Sequence, residues 1–148
     1  MLLSDVWLNK DETIPASHNP WDVALPQSRW FRRGWTLQEL LAPASVEFFS
    51  TEGVRIGDKT SLQTIIENCT GISAKALQGH PIQNFAIPDR LLWSIGRETS
   101  RAEDRPYCLQ GIFSIRLAPE YGEGEDHAWI RLWEEIARSF RGKQMTSY

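Results

Sequence analysis

The sequence predicts an α/β domain with a few short strands and about five helices. Three observations predict it. Short runs rich in Val, Phe and Ile alternate with segments of helical period. Ser, Thr, Pro and Gly stand between them at cap and turn positions. The 148 residues are 41% apolar and 24% charged, the balance of an ordinary globular chain, long enough to bury a core.

The elements follow in order. Residues 2–8, LLSDVWL, read as a short buried strand. A domain that opens on a strand with no lead-in is expected to lack upstream sequence. Residues 10–27 are polar, carry Pro15, Pro20 and Pro26, and read as a long loop. Ser28 is placed to cap a helix that Pro43 stops. Trp30, Gly34, Leu37 and Leu41 share its inward face, and Arg32, Trp35 or Thr36, and Glu39 share a polar one. Gly34 inside this helix costs about 1 kcal/mol against Ala, which a close approach of another backbone would explain.

Residues 46–50 and 53–57 predict a hairpin. Thr60 to Gln63 fits a capping box. The helix after it is expected to bury Leu62, Ile65, Ile66 and Cys69 and to end at Gly71. Residues 73–78 predict one more turn or two, and 77–84 a loop. Pro88 suits the first turn of a helix through Leu91 and Trp93. A helix apolar on most sides is expected from about Asp104 through Tyr107, Leu109, Ile112 and Phe113, at the centre of the domain. Residues 120–124 read as a turn. The last helix has the cleanest period, Trp129, Leu132, Trp133, Ile136 and Phe140, and Gly142 is expected to end it. This predicts one domain over 1–141, truncated at its N-terminal side, and a flexible tail over 142–148.

Composition excludes several classes. Lys and Arg total 16 and Asp and Glu 19, a net charge of −3, so no nucleic-acid partner is expected. No apolar run reaches the ~18 residues of a membrane helix, and no secretory signal is seen. Two cysteines, Cys69 and Cys108, fit a reducing compartment, and a cytoplasmic location is expected. Seven Trp and twelve Arg against four Lys suggest arginines fixed by partners.

Among candidate chemistries, metal is not expected. His18, His80 and His127 fall in no ligand spacing. Cys69 and Cys108 lie on apolar helix faces, where burial makes a thiol inert. Gly122-Glu123-Gly124 reads as a turn rather than a phosphate loop. Two constellations remain. Glu39, one turn from Trp35, can act as an acid, a base or a stabiliser of a developing cation, or can simply pair with Arg32 or Arg33 at a helix surface. The charges from Arg97 to Arg105 can hold an anion, or can brace two helices with Glu98, Glu103 and Asp104 neutralising Arg97, Arg101 and Arg105 one for one. The bracing reading is the favoured one.

The run SRWFRRGWTLQELLAP at 28–43 resembles the central signature of the fungal heterokaryon-incompatibility (HET) domain, S-x-W-F-x-R-G-W-T-L-Q-E-L-x-A-P. VEFF at 46–49 with IGDK at 56–59, TGI at 70–72, RETSRAEDR at 97–105, YCLQGIF at 107–113, YGEG at 121–124, and Arg131, Leu132 and EEI at 134–136 resemble the blocks that follow it. Pro106 departs from the family's usual Ala, and LLWS at 91–94 from its M-S-W-A. The family's earlier strands and helices have no counterpart before Leu2.

The resemblance implies a protein of fungal allorecognition that promotes programmed cell death. HET domains are similar to Toll/interleukin-1 receptor (TIR) domains, so it implies a partial TIR-like, flavodoxin-like fold. Plant TIR domains carry a W-C-x-x-E-L helix whose Glu cleaves NAD at the nicotinamide bond, and Trp35 to Leu40 resembles it. Glu39 is thereby the implied catalytic residue, with Trp35, Arg32, Arg97 and Arg101 as implied substrate contacts. No bound cofactor is implied, with NAD as candidate substrate. A second reading is a non-catalytic module that self-associates or meets other death-signalling proteins, through the aromatic faces around Trp30 and the last helix. A third is an inactive fragment.

Overall fold

The strand signals at 46–57 close into a hairpin. Its strands β1 (Glu47–Phe49) and β2 (Arg55–Asp58) pair antiparallel, Glu47 opposite Asp58 and Phe48 opposite Gly57. The computed structural model describes residues 1–7 and 21–145, with side chains up to Gly142. The first segment adds to the hairpin edge. Leu2 bridges Phe49 in parallel, the Leu3 N–H donates to the Phe49 carbonyl at 2.8 Å, and the Phe49 N–H donates to the Met1 carbonyl at 2.8 Å. Leu3 and Val6 are buried there, while Leu2 and Trp7 face outward. Of the loop expected over 10–27, residues 10–20 lie outside the described residues, as do 146–148 of the expected tail.

The helix expected from Ser28 to Pro43 is two pieces. Ser28 caps a 3-10 turn, Arg29–Arg32, by accepting from the Trp30 N–H at 3.3 Å. Arg33 is then extended, and α1 (Thr36–Leu41) starts afresh. Trp30 packs edge-on against Phe31 and Phe48 at 5.1 and 5.2 Å between centroids, which ties this break to the hairpin. α1 buries Thr36, Leu37 and Leu40, so Thr36 belongs to the inward face and not to the polar one.

Helix α2 (Gln63–Thr70) ends at Gly71 as expected, with φ of 75°. Its start is capped differently. Asp58, not Thr60, accepts the N–H groups of Thr60 and Ser61 at 2.9 and 2.7 Å. Ile66 is its buried residue, and Cys69 is exposed rather than inward. Short helices α3 (Ala74–Leu77) and α4 (Ile87–Leu92) follow, with Ser73 and Pro88 where caps and first-turn prolines belong.

The central helix expected from Asp104 to Phe113 is one helical turn, α5 (Asp104–Tyr107), and then irregular turns to Ser114, whose φ is 55°. Its position is as expected, because Tyr107, Leu109 and Ile112 are fully buried. Helix α6 (Glu125–Met145) runs through Gly142 rather than ending there. It buries Ala128, Leu132 and Ile136, while Trp133 and Phe140 of the expected inward face are exposed. The fold is thus mixed helix and sheet, with six α-helices and one two-stranded sheet among the described residues.

Candidate functional site

The break at Arg33 has a long-range cause. Arg33 forms a parallel bridge with Glu98. The Gly34 N–H donates to the Glu98 carbonyl at 2.9 Å, and the Glu98 N–H donates to the Arg32 carbonyl at 2.5 Å. A continuous helix would need both groups for its own ladder. Gly34 is small because this seam is tight. A Cβ there would lie 2.6 Å from Thr99 Cγ2 and 2.9 Å from Cys108 Sγ.

A cleft of about 520 Å³ opens beside the seam. Arg29, Arg32, Arg33, Glu39 and Glu98 line it, together with Trp30 and residues 1–5. Glu39 is carried by α1 and Arg32 ends the 3-10 turn, so the seam sets their separation. Asp5 is committed here. It accepts from the Arg29 N–H at 2.7 Å and the Ser28 hydroxyl at 2.8 Å, and Arg29 Nε lies 3.6 Å away. Burial alone would raise the Asp5 carboxyl, and these hydrogen bonds more than offset it, leaving it lowered. Among the described residues, the side chains of Arg32, Arg33, Glu39 and Glu98 make no hydrogen bond or ion pair. Four free charges of both signs on one concave surface can meet a ligand that carries both an anionic group and a developing cation.

The other implied contacts lie elsewhere. Trp35 is half-buried against the core and does not line this cleft. Arg97 works behind the seam. Its guanidinium donates to the Arg33 carbonyl at 2.9 Å, to Thr36 Oγ1 at 3.1 Å and to the Trp93 carbonyl at 3.2 Å. Burial brings it down to about 10. It faces a second cleft of about 400 Å³ shared with Cys108, Arg105 and Trp129. Arg101 lies over the Tyr121 ring, 4.3 Å from its centroid, and lines neither cleft. The structure therefore brings Glu39 and Arg32 together and leaves Trp35, Arg97 and Arg101 apart from them.

The one-for-one neutralisation expected between 97 and 105 is replaced by other partners. Arg97 uses carbonyls and a hydroxyl, Arg105 reaches Glu125 at 3.6 Å, and Asp104 accepts from the Tyr121 hydroxyl at 2.6 Å. The cluster braces the fold, through partners distant in sequence. Arg29, Arg33 and Glu98 line the cleft, although pattern reading does not assign them to the site. Arg29 and Arg33 flank Arg32 in one basic run, a signal that was present. Glu98 reads locally as a brace for Arg97, and its place in the cleft depends on a pairing with Arg33, 65 residues away.

Cysteine chemistry finds no support. Burial pushes the Cys108 thiol up to about 11, and desolvation also raises Cys69, although its edge is exposed. Both stay protonated near neutrality. Among the described residues no group of three or more His, Cys, Asp or Glu could hold a metal ion. His18 lies outside them. No helix among them is long and apolar enough to cross a membrane.

With the cleft and seam in place, the relatives can be set beside them. The chain is 47% identical over 137 residues to vegetative incompatibility protein HET-E-1 of Podospora anserina, a match over 92% of this chain. It is related to a heterokaryon-incompatibility protein. The matched region is 10% of HET-E-1, so the chain spans about a tenth of the curated relative's length. No family model matches the chain, and no solved structure matches it.

Proposed function

We propose that the chain is a HET domain portion, TIR-like in fold, that acts in vegetative incompatibility as a cytoplasmic cell-death effector by cleaving NAD. The observation that carries the chemistry is Glu39, unpaired on a cleft that also holds free Arg32 and Arg33. The identity with HET-E-1 supports the biological setting. The two parallel bridges, Leu2 to Phe49 and Arg33 to Glu98, suit a larger parallel sheet of which these are edges.

In this reading Arg32 and Arg33 hold the pyrophosphate, for which forked guanidinium groups are well shaped. The bond between the ribose C1′ and the nicotinamide nitrogen breaks, and its electron pair leaves with nicotinamide. The Glu39 carboxylate stabilises the ribosyl cation. Water then adds to C1′ and gives up a proton, so the products are nicotinamide, ADP-ribose and H⁺. Arg97 positions the site through the Arg33 carbonyl and touches no substrate.

The test is nicotinamide release by the purified chain with NAD, beside Glu39→Gln. The wild type releases nicotinamide, and the variant loses about 100-fold or more. Its unfolding midpoint stays that of the wild type, because Glu39 is exposed and unpaired. A wild type with no release above background at high protein concentration overturns the enzymatic reading.

A further inference from the structure

Helix α6 carries two apolar stripes, and the fold covers one. Ala128, Leu132 and Ile136 point into the core. Ile130, Trp133, Ala137 and Phe140 lie about 120° around the helix from them. Ile130 is 54% exposed, Trp133 42% and Phe140 47%, and Ala137 is exposed too. Their spacing of three, four and three residues is that of a and d positions in a helix–helix seam. Isolated apolar residues on a surface are ordinary, but four in register along about 15 Å of one helix are not.

The charges on α6 select the occupant. Asp126 falls on the exposed stripe, one turn before Ile130. Arg141 flanks the stripe at its other end. Among the described residues neither has an ion-pair partner of its own. Glu125 is already engaged by Arg105 and by the Trp129 indole, and Arg138 by Glu135.

We infer that this stripe is the seam of an antiparallel dimer between two copies of the chain. Two-fold packing centred between Trp133 and Ala137 sets Ile130 against the partner's Phe140 level and Trp133 against the partner's Ala137 level. It also brings Asp126 of each copy near the partner's Arg141, twice by symmetry. The helix dipoles then oppose, which favours the arrangement. A parallel pair would set Asp126 against Asp126 and Arg141 against Arg141. The seam is short for a stable interface, which buries about 600 Å² or more per partner, so the dimer is transient, with a Kd in the tens of micromolar. The inference does not depend on NAD cleavage.

Sedimentation equilibrium of the full chain from about 5 to 500 µM tests it. The expected result is a monomer–dimer equilibrium. Trp133→Asp weakens it about tenfold or more, as a central aromatic should. Because Trp133 also lies near Phe113, at 6.5 Å between ring centroids, Ile130→Glu serves as a second probe on a more exposed side chain. Asp126→Arg and Arg141→Asp each weaken the dimer, and the two together restore it. A strict monomer at 500 µM overturns the proposal, including a monomer in which Trp133 is shielded from a soluble quencher by the chain's own residues. A dimer unaffected by both Trp133→Asp and Ile130→Glu overturns it as well. A dimer that the double charge swap fails to restore overturns the antiparallel seam.

Discussion

The turn at 120–124 and the cleft beside Glu39 both gather acids and bases, and they treat them differently. Around the turn the charges find one another. Glu123, whose side chain is 6% exposed, accepts from the Tyr107 hydroxyl, from Arg131 at 2.6 Å and from His127 at 2.6 Å. Glu103 accepts from the Gly122 N–H at 3.0 Å, and Arg101 lies on the Tyr121 ring. At the cleft, Arg32, Arg33, Glu39 and Glu98 stay open to solvent with no partner among the described residues. Burying a charge is tolerable when it is paired or hydrogen-bonded, and the first cluster meets that condition where α5 packs against α6. Charges left unpaired at an open concave surface contribute little to folding, which leaves them free to meet a ligand.

Gly34 is where this contrast breaks most visibly, because it lies on the seam beneath the cleft. Gly34→Ala places a Cβ against Thr99 and Cys108, and overpacking of this kind costs about 1–3 kcal/mol. Chemical denaturation measures the loss. The same shift moves Arg32 relative to Glu39, so nicotinamide release falls together with stability. A variant that loses stability and keeps full release would show that the seam does not set the cleft. Glu39→Gln is the converse case, with activity lost and stability kept.

The turn gives the next effect. Burial alone would raise the Glu123 carboxyl, and the hydrogen bonds from Tyr107, Arg131 and His127 outweigh it and leave it lowered. A lowered carboxyl stabilises the fold above the ordinary carboxylate range, and that contribution is lost as pH falls through the folded value. Glu123→Gln therefore lowers the unfolding midpoint at pH 7. The gap to the wild type closes only as pH falls through that lowered folded value, beneath the ordinary carboxylate range, where both lack the charge. Thermal scans across pH 3 to 7 check this. A gap that stays constant with pH would assign the effect to packing instead.

What pattern reading captured and what escaped it divide by range. The hairpin at 46–57, the stop at Gly71 and the first-turn position of Pro88 depend on neighbours in sequence, and all are seen. The burial of Tyr107, Leu109 and Ile112 was legible because every face of that segment is apolar, although its helix is a single turn. The split at Arg33 was not legible. A helical period continues through it, and the competing hydrogen bonds come from Glu98. Helix α6 misleads in the same way. Its apolar residues form two stripes that the sequence merges into one, and only the packed fold separates Leu132 and Ile136 from Trp133 and Phe140. Of the candidate site, Glu39 and Arg32 could be read from one motif, whereas Arg97 is seen to serve the seam only through its bond to the Arg33 carbonyl.

The smallest effect belongs to the rim of the paired region. Arg105 lies 3.6 Å from Glu125 with 56% of its side chain exposed, whereas Arg131 meets Glu123 at 2.6 Å with 19% exposed. An exposed pair is screened by water and costs two long side chains their freedom, so it contributes less than about 1 kcal/mol. Arg105→Ala is expected to stay within that bound at low salt. The difference should shrink further in 1 M salt, where the screening length falls to about 3 Å. A loss as large as that of Gly34→Ala would mean that Arg105 is part of the buried brace. The line between paired interior and solvated rim would then run outside α6 rather than along it.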